Sequence, residues 1–216
     1  TVVDHRTYVI AGDGCLMEGI SHEAISLAGH LKLGRLIVLF DDNGISIDGP
    51  TSLSVSDDQG ARFRASGWDV QSVDGHDMDA VRAAIAHAQT TDTPSLIACK
   101  TTIAYGAPTK AGSEASHGSP LGAEEIKGTR ANLGWNHPPF EIPTDIRSAW
   151  LDIGKRGAGA RATWKSRVAA MAPDERAELE RRTQGRLKDS WEKTVTELKK
   201  KLSAEKPKLA TRQLSG

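Results

Sequence analysis

The sequence predicts an α/β fold, a parallel sheet flanked by helices. Up to residue 101, short apolar segments of strand length alternate with segments of helical periodicity. The gap between one apolar segment and the next leaves room for the crossover helix that parallel strands require. Two of the apolar segments also run out into acids, asparagine and glycine, residues suited to the carboxyl ends of strands, where open α/β sheets place their ligands.

Each element follows in order. Tyr8–Ala11 is short and apolar, as a strand buried on both faces should be. The stretch "AGDGCLMEGISHEA" then leads into a helix around Glu18–Leu31, where Ala24, Ile25, Leu27, Ala28, Leu31 and Leu33 recur at helical spacing. Gly12-Asp13-Gly14 at this junction reads either as a turn with Asp13 capping the helix or as a ligand site. "LIVLFDDNGISIDG" supplies a second strand, Leu36–Phe40. A shorter helix near Asp57–Ala65, a strand Trp68–Val73, a helix Met78–Ala88 and a strand Ser95–Cys99 complete the alternation. From Ile103 to Leu121, "IAYGAPTKAGSEASHGSPL" has no periodicity; so long an irregular stretch in a compact domain is typically a binding loop. A helix is expected at Ala123–Leu133, before the irregular "GWNHPPFEIP".

From Asp145 the chain reads as helical and highly charged, with Pro173 suited to a helix first turn. Its charges are expected on a solvated face, with Leu179, Leu187, Trp191, Val195, Leu198 and Leu202 turned toward the body of the protein. The expected organisation is an α/β domain over 1–150, a helical extension over 151–205 and the start of a linker over 206–216, "KPKLATRQLSG".

Composition narrows the function. Lysine plus arginine and aspartate plus glutamate number 28 each, so no net charge points to nucleic acid or a membrane surface as the main partner. No apolar run approaches 18 residues and no signal-peptide pattern is present, so a soluble protein is expected. Two cysteines, Cys15 and Cys99, do not make a disulfide framework and fit a reducing cytoplasm. No Cys/His spacing suits a metal, and no G-x-G-x-x-G follows the first strand, which disfavours a plain dinucleotide binder. The chain begins without methionine, and both ends read as cuts through a longer polypeptide.

Asp13 and Asn43 each follow a strand, and consecutive strands place them at one sheet edge. A carboxylate and an amide oxygen are hard ligands suited to magnesium, which keeps an octahedron of oxygens and accepts phosphate among them. The start of the Glu18 helix adds N–H groups and the positive end of a dipole, and Gly14 lets the backbone approach closely. A magnesium-bridged diphosphate fits this arrangement.

Asn43 follows Asp13 by thirty positions, which resembles the Gly-Asp-Gly to Asn motif of thiamine-diphosphate enzymes. "GDGCLMEGISHEAISLAGHLKLGRLIVLFDDNGISIDG", "FRASGWDV", "DGHDMDAV", "TPSLIACKTTIAYGAPTKAGSEASHGSPLG" and "LGWNHPPFEIP" resemble the transketolase family over about residues 2–150. The resemblance implies that Asp13, Asn43 and the Ile45 carbonyl bind Mg2+, or Ca2+ or Mn2+ in its place. It implies that Gly14 and Asn43 touch the diphosphate of thiamine diphosphate, and that Ile47 and Ile103 pack near its ring. His117 would contact the diphosphate and the donor sugar, as the catalytic and substrate-binding residue of this chain. Glu18 would lie at a homodimer contact, in a network linking the two cofactors. The implied reaction is two-carbon ketol transfer from a ketose phosphate to an aldose phosphate, as in the pentose phosphate pathway and the Calvin cycle. The resemblance also places further site residues before Thr1 and a pyrimidine-binding domain after Gly216, so this chain alone is expected to be inactive. Dihydroxyacetone synthase, deoxyxylulose-phosphate synthase and a non-catalytic fragment are the alternatives at this point.

Overall fold

The computed structural model describes residues 2–214; Thr1 and the last two residues of the expected linker lie outside the described residues. The chain divides into two compact units, one over Val3–Pro143 and one from Thr144 onward that also takes in Val2.

The first unit contains the parallel sheet. Strands β1 (Thr7–Gly12), β2 (Leu36–Asp42), β5 (Asp69–Asp74) and β6 (Ser95–Lys100) stand in the order β1-β2-β6-β5, every pair parallel. Each strand runs one or two residues further toward its carboxyl end than the apolar pattern predicts, because pairing with a neighbour continues past the last apolar side chain. The sheet has helices on both faces. On one, Leu16, Ile25, Ala28, Phe63 and Trp68 pack against Val38, Phe40, Leu96 and Ala98. On the other, Ala84 and Ala88 of α4 (Met78–Ala88) pack against Ile37, Ile97 and Cys99. β2 and β6 therefore send alternate side chains to opposite cores, which explains their unbroken apolar sequence.

Two local structures depart from the sequence reading. The helix expected around Glu18–Leu31 is α2 (Gly19–His30), and a short helix not expected from sequence, α1 (Asp13–Met17), precedes it. Glu18 between them leaves the helical region at φ −66°, ψ 138°. The break is closed by Ser21, whose hydroxyl donates to the Cys15 carbonyl at 2.6 Å and whose N–H donates to the Glu18 carbonyl at 3.0 Å. Beyond Asn43 the chain forms a small antiparallel hairpin, β3 (Ile45–Ser46) and β4 (Gly49–Pro50), with Ile47 and Asp48 as its turn. Strands of two residues carry too little pattern to be read from sequence.

Helix α3 (Gln59–Ala65) begins on the Asp58 carboxylate, which accepts the Ala61 N–H at 2.8 Å; α4 begins on Asp77, which accepts from Asp79 and Ala80. Helix α5 (Ala123–Asn132) closes the first unit as expected.

The second unit is helical: α6 (Thr144–Lys155), α7 (Ala158–Ala169), α8 (Pro173–Thr183), α9 (Trp191–Glu205) and α10 (Thr211–Leu214). Pro173 occupies the first turn of α8, as expected. The last helix falls within the expected linker. The apolar residues expected to turn inward do not. Leu187, Trp191, Val195, Leu198 and Leu202 are all exposed, and Leu179 is half-buried. On α8, Glu178 accepts from Arg181 and Arg182, and the two guanidinium groups hold its carboxyl down to about 2. No described helix is long and apolar enough to cross a membrane.

Gly29 of α2 lies against the turn after α3. A Cβ there would stand 1.7 Å from the Ser66 carbonyl oxygen, which is backbone and cannot swing away. The nearby Trp68 indole N–H donates to the Ile25 carbonyl at 2.9 Å, so a shift of α2 also disturbs a buried hydrogen bond. Gly29→Ala is expected to destabilise the protein by about 1–3 kcal/mol, the usual range for overpacking, read as a lower midpoint in denaturant at unchanged slope.

Candidate functional site

The site lies along the carboxyl ends of the strands. Pairing brings Gly12 of β1 opposite Asp41 of β2, and Asp42 of β2 opposite Lys100 of β6. The residues that follow each strand therefore emerge side by side.

Asp13 opens α1, but Gly12 occupies the capping position and no side chain caps the helix, so the capping role is not what Asp13 performs. Its carboxylate instead reaches to the next strand end, where Oδ2 accepts the Gly44 N–H at 3.2 Å. Burial raises its pKa and the negative charge of Asp42 adds to the rise, while N–H groups of Gly44 and Asn43 oppose it. A cation beside Asp13 would remove that penalty.

Asn43 is half-buried, with Oδ1 accepting the Ile45 N–H at 2.9 Å and Nδ2 donating to Asp41 Oδ2 at 3.2 Å. The amide oxygen keeps a second lone pair. Among the described residues no group of three His, Cys, Asp or Glu side chains is placed to hold a metal. The donors expected from the sequence, the Asp13 carboxylate, the Asn43 amide oxygen and the Ile45 carbonyl, are hard oxygens of the kind that Mg2+ takes. A Cβ on Gly14 would meet nothing within 4 Å, so there is open space beside the backbone. A cleft of about 350 Å³ opens beside Asp13, lined also by Met17, Asp42, Thr51 and Lys100.

The other residues singled out from sequence lie near these strand ends or on the loop that leaves them. Ile45 is half-buried in the hairpin, and Ile47 at its turn is 69% exposed, not a core residue. Glu18 is exposed at the break between α1 and α2. Ile103 is half-buried just after β6, its carbonyl accepting the Gly112 N–H at 2.9 Å. His117 is exposed and closes a single 3-10 turn, Glu114–Ser116, its N–H donating to the Glu114 carbonyl.

The aperiodic loop is held by side chains that sequence reading leaves unassigned. His76 Nε2 accepts the Thr102 N–H at 2.9 Å, which places the imidazole proton on Nδ1, and its ring stacks on Tyr105 at 3.9 Å. At the far end, Glu125 of α5 accepts from the Thr109 N–H and hydroxyl and from the Lys110 N–H. These bonds, the Thr109 hydroxyl first, hold its carboxyl below the ordinary glutamate range. Lys110 Nζ donates to the Leu121 carbonyl at 2.9 Å, tying the two ends of the His117 segment together. The signal for Glu125 and Lys110 is their placement at the ends of that segment; nothing in the sequence around His76 marks it.

The comparisons with known proteins point to one family. Residues 1–188 match the family described as "Transketolase, thiamine diphosphate binding domain". The chain is 54% identical to a transketolase of Cereibacter sphaeroides over 99% of its own length and 32% of the relative's. It is 51% identical to transketolase 2 of Escherichia coli, again over 99% of this chain and 33% of the relative. Among solved structures, transketolase from Leishmania mexicana matches with a TM-score of 0.79 and 39% identity, over 88% of this chain and 29% of that one. That from Campylobacter jejuni matches with a TM-score of 0.76 and 40% identity, over 83% and 28%. The chain thus spans about a third of the length of the curated relatives it matches. With the parallel sheet, the Gly-Asp-Gly turn and these matches together, the chain belongs to the transketolase family, within its thiamine diphosphate-binding domain.

Proposed function

We propose that this chain supplies the magnesium-diphosphate half of a thiamine-diphosphate site, in a protein that transfers two-carbon ketol units from a ketose phosphate to an aldose phosphate. The observation that carries the reading is the Asp13 carboxylate meeting the backbone just after Asn43, at the ends of two adjacent parallel strands. In this reading Asp13, Asn43 and the Ile45 carbonyl hold Mg2+, and Gly14 lets the α1 backbone come close to the diphosphate. When bound, thiamine diphosphate supplies the electron sink that lets a carbon–carbon bond beside a ketose carbonyl break. Ile47 and Ile103 offer apolar side chains to its ring. Ile47 stands in water on a tight turn, where an apolar contact is free to form. His117 offers an imidazole to the diphosphate and to a hydroxyl of the donor sugar phosphate, and the loop that carries it helps to exclude water while bonds are broken. Glu18 faces a second copy of the chain in a homodimer. A cytoplasmic role in the pentose phosphate pathway follows from this reading.

The test is magnesium-dependent binding of thiamine diphosphate by the full-length protein that carries this chain, followed by titration calorimetry. Asp13→Ala is expected to weaken cofactor binding at least tenfold, and to abolish its dependence on magnesium. Binding that keeps its strength and metal dependence in this variant overturns the reading.

The Glu125 contacts set a pH window for the His117 loop. A carboxyl whose folded pKa lies below its ordinary value contributes stability that is complete above the ordinary glutamate range and lost as pH falls through the lowered value. Amide-exchange protection of residues 109–121, corrected for intrinsic rates, is therefore expected to hold at neutral and mildly acid pH and to fall only below the ordinary glutamate range. In Glu125→Gln the protection is expected to be lower at neutral pH and to show no such step.

A further inference from the structure

We propose that Asp41 is the positioning residue that fixes two parts of the site at once, the metal-facing amide of Asn43 and the start of the loop that bears His117. The proposal rests on the reading of Asp13 and Asn43 as a magnesium-diphosphate site.

Asp41 is half-buried near the end of β2, paired with Gly12 on one side and Cys99 on the other. Its two carboxylate oxygens serve different elements. Oδ2 accepts from Asn43 Nδ2 at 3.2 Å, and Oδ1 accepts from the hydroxyl of Thr101, the first residue after β6. An ionised carboxylate only accepts, so it selects one of the two faces of the Asn43 amide. With Nδ2 turned to Asp41, Oδ1 points away; it takes the Ile45 N–H and keeps a lone pair for a cation. Turned the other way, the amide would present N–H groups to that cation, and binding would be lost.

The second bond acts on the loop. The Thr101 N–H donates to the Asp42 carbonyl at 3.3 Å, and Thr102 is held by His76, so the chain leaves β6 in one direction. A Cβ on Gly75 would lie 2.5 Å from Thr101 Cγ2, so the bare glycine leaves the space in which the Thr101 side chain packs. Asp42, by contrast, points its carboxylate to Lys100 Nζ at 2.6 Å. Of the two adjacent acids, one is matched by a cation, and the other serves as an acceptor shared by two strand ends.

The experiment uses Mn2+ as the probe metal, titrated by electron paramagnetic resonance into the full-length protein with thiamine diphosphate present. Melting temperature and tryptic cleavage after Lys110 are measured alongside. Asp41→Asn is expected to weaken Mn2+ binding about tenfold at a melting temperature within a few degrees of the parent, and to speed cleavage after Lys110. Thr101→Val is expected to speed cleavage similarly while leaving Mn2+ affinity within about twofold. A purely structural Asp41 would lower the melting temperature without changing Mn2+ affinity, and that result overturns the proposal. If Asp41→Asn does not fold, Asp41→Ser carries the same comparison. The underlying site is tested separately: if Asp13→Ala binds Mn2+ as tightly as the parent, the magnesium reading itself fails and Asp41 falls with it.

Discussion

The site depends first on parallel strands ending in step. β1, β2 and β6 pair so that Gly12 faces Asp41 and Asp42 faces Lys100, and the backbone turns away from the sheet within a few residues on all three. Parallel pairing sends every carboxyl end to the same edge, so side chains far apart in sequence meet without any long side chain having to reach. Asp13 and Gly44 are separated by 31 positions and joined by one hydrogen bond. A slip of one residue between β1 and β2 would turn Val38 and Phe40 out of one core and separate this pair together, so the same register fixes packing and site.

Charge is arranged around that register. Asp13, Asp41 and Asp42 bring three acids to one edge, and such a group would repel itself if left bare. Lys100 matches Asp42, and hydroxyl and amide donors meet Asp41, leaving Asp13 with backbone N–H groups as its partners. Asp13 is the carboxylate the metal reading assigns to Mg2+, and burial first, then the charge of Asp42, raises its pKa against the backbone N–H groups it accepts from.

Much of this is legible in the sequence because it is local. Four strands and the helices Met78–Ala88 and Ala123–Asn132 announce themselves by the period of their apolar residues. The meeting of Asp13 with the chain after Asn43 follows from strand alternation alone. The rest depends on contacts that leave no periodic trace. The break at Glu18 arises from one residue's backbone and a serine bonded back to Cys15, and the Ile45–Pro50 hairpin is too short to alternate. His76 looks idle until the fold lays it under Thr102, 26 positions away. The five apolar residues from Leu187 to Leu202 have the spacing of a buried helix face, yet Leu187 lies outside any helix and all five are exposed.

The loop from Ile103 to Leu121 has one more consequence, for how such a protein can change over time. Of its residues only Ala107 is buried, and its hold on the body comes through a few polar bonds and a proline seated on Gly128. Most substitutions within it therefore leave the two cores untouched, and surface changes of this kind usually cost about half a kcal/mol or less. The sheet edge and the loop can drift at different rates: the strand ends are constrained by packing, the loop only by what it must touch. A change in what the loop contacts can accumulate there without the fold having to be rebuilt.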